Sequence, residues 1–119
     1  MFDRLTNFGL IKLTGSGGSA NTAAAEYEID MVAGATEDCL HDLRIVVIPK
    51  KDSPDPVTFT LKTGDESTSL TAMATFVLKD FKANTPQKVP FPLEHKRYLG
   101  IEANGEVTLD FFVGLEFGA

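Results

Sequence analysis

The side chains that could carry out catalysis in this chain are few and lie apart. His41 precedes Asp42 in a segment that we predict to be a loop or short turn, and His95 is followed by Lys96 in another connection. A histidine acts as a general base only within hydrogen-bond reach of its partner, and nothing in the sequence brings these two together. We therefore interpret both as turn or surface residues and predict that the protein is not an enzyme.

Nucleophile and phosphate-binding patterns are also missing. Ser67 and Ser69 are not enclosed by a Gly-x-Ser-x-Gly turn. The glycine-rich stretch 15–19 lacks the Lys-Ser/Thr ending of a phosphate-binding loop, so we interpret it as a flexible hinge. Cys39 is the single cysteine, which excludes an intramolecular disulfide and favours maturation in a reducing compartment.

Two acidic pairs are the best candidates for a metal site. Asp52 with Asp55, or Asp65 with Glu66, could offer oxygen ligands to calcium. Neither pair has the alternating spacing and closing glutamate of a dedicated calcium loop, and acidic residues are common in turns. We expect no metal and no cofactor.

Composition limits the classes of partner. The chain of 119 residues is 43% hydrophobic, which is typical of one folded domain. Its formal charge of −6 argues against nucleic-acid binding, because phosphate contacts need clustered Lys and Arg. No apolar stretch approaches the length of a membrane span, and the first residues do not resemble a secretion signal, so we expect no membrane contact.

The strongest structural pattern lies in the last quarter of the chain. From Val107 to Phe117 every odd position is apolar, which predicts a half-buried strand. Leu99 and Ile101 alternate in the same way before Asn104-Gly105, so we predict a hairpin. We favour a three-residue loop with Gly105 in the left-handed conformation. That register pairs Ile101 with Val107 and Leu99 with Leu109.

The rest of the chain also has the pattern of short strands. Three prolines make residues 49–56 an exposed loop, and the small polar stretch 67–74 is typical of a connection that crosses between sheets. The predicted fold is therefore all-β: an antiparallel β-sandwich or jelly roll of seven or eight strands. The further strands are expected at 23–31, 43–48, 57–63, 75–81 and 87–93, the last at a sheet edge.

The amino end differs from the remainder. We predict an extended arm and hinge over residues 1–22, followed by a sandwich domain over 23–119. The apolar residues of the arm must cover their own sheet, a neighbouring copy or a larger partner. The segment 43–48 is apolar on both faces, so it is either a central strand or lies under another subunit. Candidates for a subunit interface are Val46 and Ile48 in that segment, together with the outward aromatic residues Tyr98 and Phe112.

Several stretches, in order, resemble one known family. They are Asp3-Arg4-Leu5-x-x-Phe8, residues 20–25 leading into Tyr27-Glu28-Ile29-Asp30, the strand 43–49, residues 57–61, Val89-Pro90-Phe91-Pro92, and residues 96–101 before a final strand. Over most of its length the sequence is similar to the small cement or decoration proteins of tailed double-stranded DNA bacteriophages. It departs from the family after Phe8, where Gly9-Leu10-Ile11-Lys12 replaces a polar run.

The resemblance implies a structural role. Such proteins have a β-sandwich or jelly-roll fold and sit as trimers on the outside of the capsid, where they stabilise the junctions between capsomers. It implies as partners the major capsid protein and further copies of the chain, and as location the outer capsid surface of the virion, after synthesis in the host cytoplasm. The residues expected to contact the capsid or a neighbouring subunit are Phe2, Arg4, Leu5, Phe8, Leu10 and Ile11.

Two other functions stay open at this stage. One is a β-sandwich module that binds sugar or protein within a phage or bacterial assembly, which predicts a groove with exposed aromatic residues. The other is a small jelly-roll enzyme of the cupin type, which needs inward histidines and carboxylates on strands. Both histidines fall in predicted turns, and this argues against the enzyme.

Overall fold

The computed structural model describes residues 7–30, 43–66, 68–91 and 96–117. Predictions that concern Phe2, Arg4, Leu5, Cys39, His41, Ser67 and His95 lie outside these residues. Within the described ranges there are nine β-strands and no helix. The strands are β1 (Asn7–Thr14), β2 (Asn21–Ala24), β3 (Ile29–Asp30), β4 (Leu43–Pro49), β5 (Val57–Gly64), β6 (Thr71–Leu78), β7 (Gln87–Pro90), β8 (Tyr98–Gly105) and β9 (Thr108–Phe117).

The strands form two antiparallel sheets packed face to face. Sheet 1 has the order β1-β9-β4-β7, and sheet 2 has the order β2-β8-β5-β6, with the short β3 also paired to β8. The pairs are nested: β1 lies beside β9, β2 beside β8, β4 beside β7 and β5 beside β6. Nested antiparallel pairs shared between two sheets define a jelly roll. The predicted fold class is confirmed.

The core lies between the two sheets. Inward residues alternate along the strands, as Val57, Phe59 and Leu61 do in β5, all of them fully buried. Phe111 of β9 contacts Phe59 edge to face, with ring centroids 5.3 Å apart, and its centroid lies 5.1 Å from that of Phe81. Because Phe59 belongs to sheet 2 and Phe111 to sheet 1, this aromatic contact joins the two layers.

The predicted hairpin in the last quarter is wrong. The two strands form as expected, but β8 lies in sheet 2 and β9 in sheet 1, so the chain crosses from one sheet to the other around residue 106. Gly105 does not adopt a left-handed conformation, and it pairs with Asn21 of β2. The alternation of apolar residues shows which face of each strand points inward, but it does not show whether the two strands pair. A hairpin within one sheet and a connection between two sheets both place the apolar faces on one core.

The described part of the predicted arm is integrated into the sandwich. β1 pairs with β9 from Asn7 to Thr14, and the side chains of Phe8 and Ile11 are fully buried in the core. Neither residue is available to a capsid or a neighbouring subunit in this fold, which corrects that assignment. The glycine-rich stretch forms a closed turn instead of a hinge, since the backbones of Ser16 and Ser19 exchange hydrogen bonds of 3.0 and 2.9 Å.

A strap over residues 25–28 interrupts the strand predicted from 23 to 31. Its backbone leaves β8 and donates hydrogen bonds from Glu26 to the Leu10 carbonyl and from Tyr27 to the Phe8 carbonyl. The Glu26 carboxylate in turn accepts the amide of Leu10 at 2.9 Å. The strap therefore covers the free edge of β1. Close packing requires glycine at position 9, where φ is +85° and a Cβ would lie 2.9 Å from the Tyr27 ring.

Other strand positions match the prediction only in part. β4 is a central strand between β9 and β7, which explains its apolar character on both faces. β7 is an edge strand, as predicted from Pro90 and Pro92 in the sequence. Residues 71–74 do not cross between sheets, because β6 begins at Thr71 and pairs with β5 in the same sheet. The short β3 brings the number of strands in the described ranges to nine, one more than the highest number predicted.

Neighbouring phenylalanines in β9 test the assignment of inner and outer faces. Phe111→Ala should lower the free energy of unfolding by about 3–5 kcal/mol, because it empties a fully buried site. Phe112→Ala should cost less than about 1.5 kcal/mol, since that ring is 39% exposed. Urea unfolding of both variants measures the difference. Equal losses would contradict the assigned faces.

Candidate functional site

The outer face of sheet 1 carries a row of apolar side chains across three neighbouring strands. Leu10 of β1 pairs with Phe112 of β9, and Phe112 pairs on its other side with Ile48 of β4. All three point away from the core because their neighbours Ile11, Phe111 and Val47 point into it. Side chains at directly paired positions touch, so these three form one continuous apolar strip, which we call the apolar row.

Phe112 lies at the centre of the apolar row and is its most exposed member. Its side chain is 39% exposed, while Leu10 and Ile48 are half-buried. The ammonium group of Lys50 lies 5.1 Å from the centroid of the Phe112 ring, within the range of a cation–π contact. Because Lys50 leans over the ring, the pair projects a combined apolar and positive surface.

Val46 shares this face but is not exposed. The register places Val46 between Lys88 of β7 and Gly114 of β9. The ion pair of Lys88 with Glu116, with N and O atoms 2.6 Å apart, joins the two strands that flank β4 and so crosses above Val46. Only 3% of Val46 is accessible. It is therefore a packing residue of its own subunit, which corrects its assignment to an interface between subunits.

The outer face of sheet 1 differs in charge from the rest of the chain. It bears four basic side chains against two acidic ones, a formal charge of +2, whereas the whole chain has −6. Three of these groups border the apolar row, since Lys12 is paired with Asp110 next to Leu10 and Phe112, and Lys50 lies over the Phe112 ring. The basic residues are Lys12, Arg44, Lys50 and Lys88, and the acidic residues are Asp110 and Glu116.

Tyr98, the remaining interface candidate, lies elsewhere. It belongs to β8 of sheet 2 and is half-buried. The guanidinium of Arg97 lies 4.9 Å from the centroid of the Tyr98 ring and donates two hydrogen bonds to Asp30, at 3.1 and 2.9 Å. The hydrogen bonds to Asp30 and its negative charge raise the pKa of Arg97. The structure thus brings together Leu10, Ile48 and Phe112 but not Tyr98.

A depression on the outside of sheet 2 is a second candidate. It has a volume of about 260 Å³ and is lined in part by Gly100 of β8 and by Leu70, whose side chain packs so close to Gly100 that a Cβ there would lie 2.8 Å from it. Its rim includes Tyr27, which is 40% exposed, and the ion pair of Lys62 with Glu102 at 3.3 Å. Sequence reasoning missed this site, because Tyr27 and Lys62 come from distant parts of the chain and only the folded sheet brings them together.

Among the residues that the structure describes, no three side chains of His, Cys, Asp or Glu lie close enough to hold a metal ion. The Asp52 carboxylate accepts the backbone amide of Ala83 at 2.7 Å, so it anchors a loop. Both histidines and the cysteine fall outside the described ranges.

The sequence matches no protein-family model, and no curated protein matches it. None of the described segments forms a helix long and apolar enough to cross a membrane.

Two positions in β4 separate packing from surface contact. Val46→Ala should lower the free energy of unfolding by about 2 kcal/mol, because it removes buried methyl groups beneath the Lys88–Glu116 pair. Ile48→Ala should cost about half as much, because Ile48 is already partly in contact with water. Thermal and urea unfolding of the two variants provide the comparison. A larger loss of unfolding free energy for Ile48→Ala would show that the Ile48 side chain is buried.

Proposed function

We propose that this protein is a non-enzymatic structural component of a bacteriophage virion. It binds the outside of the capsid as a homotrimer and stabilises the junctions between capsomers, with the major capsid protein as its partner. The observation that carries the proposal is the apolar row of Leu10, Phe112 and Ile48 on the outer face of sheet 1. The resemblance of the sequence to capsid decoration proteins supports the same function.

The chemistry of the surface fits a contact with protein. An aromatic residue at the centre, aliphatic residues beside it and a charged rim are the usual composition of a subunit interface. The apolar row therefore serves as a contact between copies of the chain. Three copies linked in this way bind a shell far more tightly than one copy does.

The framework behind the surface suits a load-bearing role. Sheet 1 is fixed to sheet 2 through the buried rings of Phe111 and Phe59, so its outer face is held rigidly. A rigid surface loses little conformational entropy on binding. The strap over β1 also leaves that edge closed to non-specific strand pairing.

Association with shells tests the proposal directly. Undecorated shells of the phage that encodes the protein should bind it on co-sedimentation, and Phe112→Ser should reduce the bound fraction by about tenfold or more, because a copy that does not join a trimer binds the shell through one contact instead of three. Tyr27→Ser is the matched control, because it removes an equally exposed aromatic residue from outside this face. Equal binding by the Phe112 variant and the wild type would contradict the proposal.

The amino-terminal residues can be tested separately. Deleting residues 1–13 would remove Phe8, Ile11 and Leu13 from the core, and we expect that variant not to fold. Deleting residues 2–6 leaves β1 intact. If Phe2, Arg4 and Leu5 contact the capsid, this shorter deletion should weaken shell binding without changing the thermal unfolding temperature. Undiminished binding would exclude these three residues as the anchor.

The second candidate function is a binding module for sugar or protein. The depression with Tyr27 and the Lys62–Glu102 pair favours it, because an exposed ring beside hydrogen-bonding groups is suited to a polar ligand. A glycan array with the purified protein tests this function. It predicts binding that Tyr27→Ser abolishes and Phe112→Ser leaves unchanged, the opposite of the result expected for capsid decoration.

A further inference from the structure

The described residues outside the outer face of sheet 1 are predominantly acidic. They contain ten acidic and six basic side chains, whereas that face has an excess of basic ones. A surface of one sign is attracted to a partner of the opposite sign, and here the same chain supplies both. A surface complementary to the basic face is therefore expected among these acidic residues.

One end of the sandwich holds a concave acidic surface, which we call the acidic cleft. It has a volume of about 410 Å³, and its walls include Asp55, Pro56 and Glu106. Thr58 of β5 and Asn104 of β8, which are paired neighbours on the outside of sheet 2, form its floor. Both carboxylates are exposed, and no basic side chain is among the described residues that line the cleft.

The position of the acidic cleft suits head-to-tail contact. It opens where the loop before β5 meets the turn between β8 and β9, at an end of the sandwich and on the side of sheet 2. The apolar row faces outward from sheet 1. The two surfaces are different patches of the chain, so a contact between them is head-to-tail, the kind of contact that forms a ring when its rotation closes.

We propose that the outer face of sheet 1 in one copy docks into the acidic cleft of the next, and that three such contacts close the trimer. This inference rests on the proposed trimeric function. A ring of three must join two different patches of the chain, since only a two-fold axis brings the same patch of both copies together. Face-to-face pairing would also set two surfaces of formal charge +2 against each other.

The side chains of the two surfaces match in type. Lys50 and Phe112 project together from the apolar row, with the ammonium group over the ring. In the cleft, Pro56 offers an apolar surface to the ring, and the carboxylates of Asp55 and Glu106 offer partners to the ammonium group. Binding of this kind depends on both apolar contact and charge, so salt should weaken the trimer without abolishing it.

Sedimentation equilibrium of the purified full chain tests the inference. The wild type should be a trimer whose dissociation constant rises with salt concentration. Phe112→Ser, which removes the ring from the face, and Asp55→Lys, which reverses a charge in the cleft, should each raise the dissociation constant by about tenfold or more. Both positions are exposed, and thermal unfolding checks that each variant is folded.

Matched controls carry the same charge changes outside the two surfaces. Lys50→Glu, which should raise the dissociation constant as Asp55→Lys does, compares with Lys82→Glu, and Asp55→Lys compares with Glu66→Lys. Glu66 follows the far end of β5 from the cleft, and both control residues are exposed. The control variants should remain trimers. Dissociation of the controls to the same extent as the site variants would overturn the inference, because net charge alone would then explain the effect.

Mixing two defective variants distinguishes a heterologous contact from a symmetric one. The Asp55→Lys protein retains an intact face, and the Phe112→Ser protein retains an intact cleft. Together they should form a one-to-one dimer through the one normal contact and should not close a ring. A mixture that stays monomeric overturns the inference, as does a wild-type dimer that Asp55→Lys leaves intact.

The outcomes separate this inference from the proposed function. A wild-type trimer that binds shells and that Asp55→Lys leaves intact would overturn the docking of face into cleft and would leave capsid decoration standing. A trimer with the expected variant behaviour that does not bind shells would support the inference and overturn the proposed function.

Discussion

The pairing of β9 with β1 on one side and β4 on the other is the interaction on which the rest of the molecule depends. It places the last described strand inside sheet 1, so both of its faces are used. Phe111, Val113 and Leu115 point into the core, and Phe112 points outward. One strand thus supplies the aromatic contact between the two sheets and the centre of the candidate interaction surface.

This double use links stability to surface chemistry. The ring of Phe111 holds β9 against sheet 2, and the same backbone sets Phe112 between Leu10 and Ile48. A change of register by one residue would turn Phe112 inward and Phe111 outward, and would lose both the core and the apolar row. The strap that hydrogen-bonds to β1 protects this register, because it leaves β1 bonded along both of its edges.

Charge adds selectivity to a surface whose apolar area is small. Lys50 covers part of the Phe112 ring, and the Lys88–Glu116 pair covers Val46, so the exposed apolar area is limited to a narrow row. Such a surface favours acidic partners over general hydrophobic contact.

The sequence showed the outward position of Phe112 and the apolar character of Ile48. It does not show that Leu10 lies in the same row, since the sequence places Leu10 in a predicted arm.

The sequence by itself determined most of the strands after residue 42 and which of their side chains point inward, because alternation with period two is a local property of an extended backbone. It also determined the all-β class, the edge position of β7 and the place of Phe111 among the alternating apolar residues of β9. Only the tertiary structure decided that β8 and β9 lie in different sheets, that residues 7–14 complete the core, and that Leu10, Phe112 and Ile48 form one row. These facts depend on which strands pair across long separations in the chain, and that choice is made by the joint burial of both sheets, which no local pattern records.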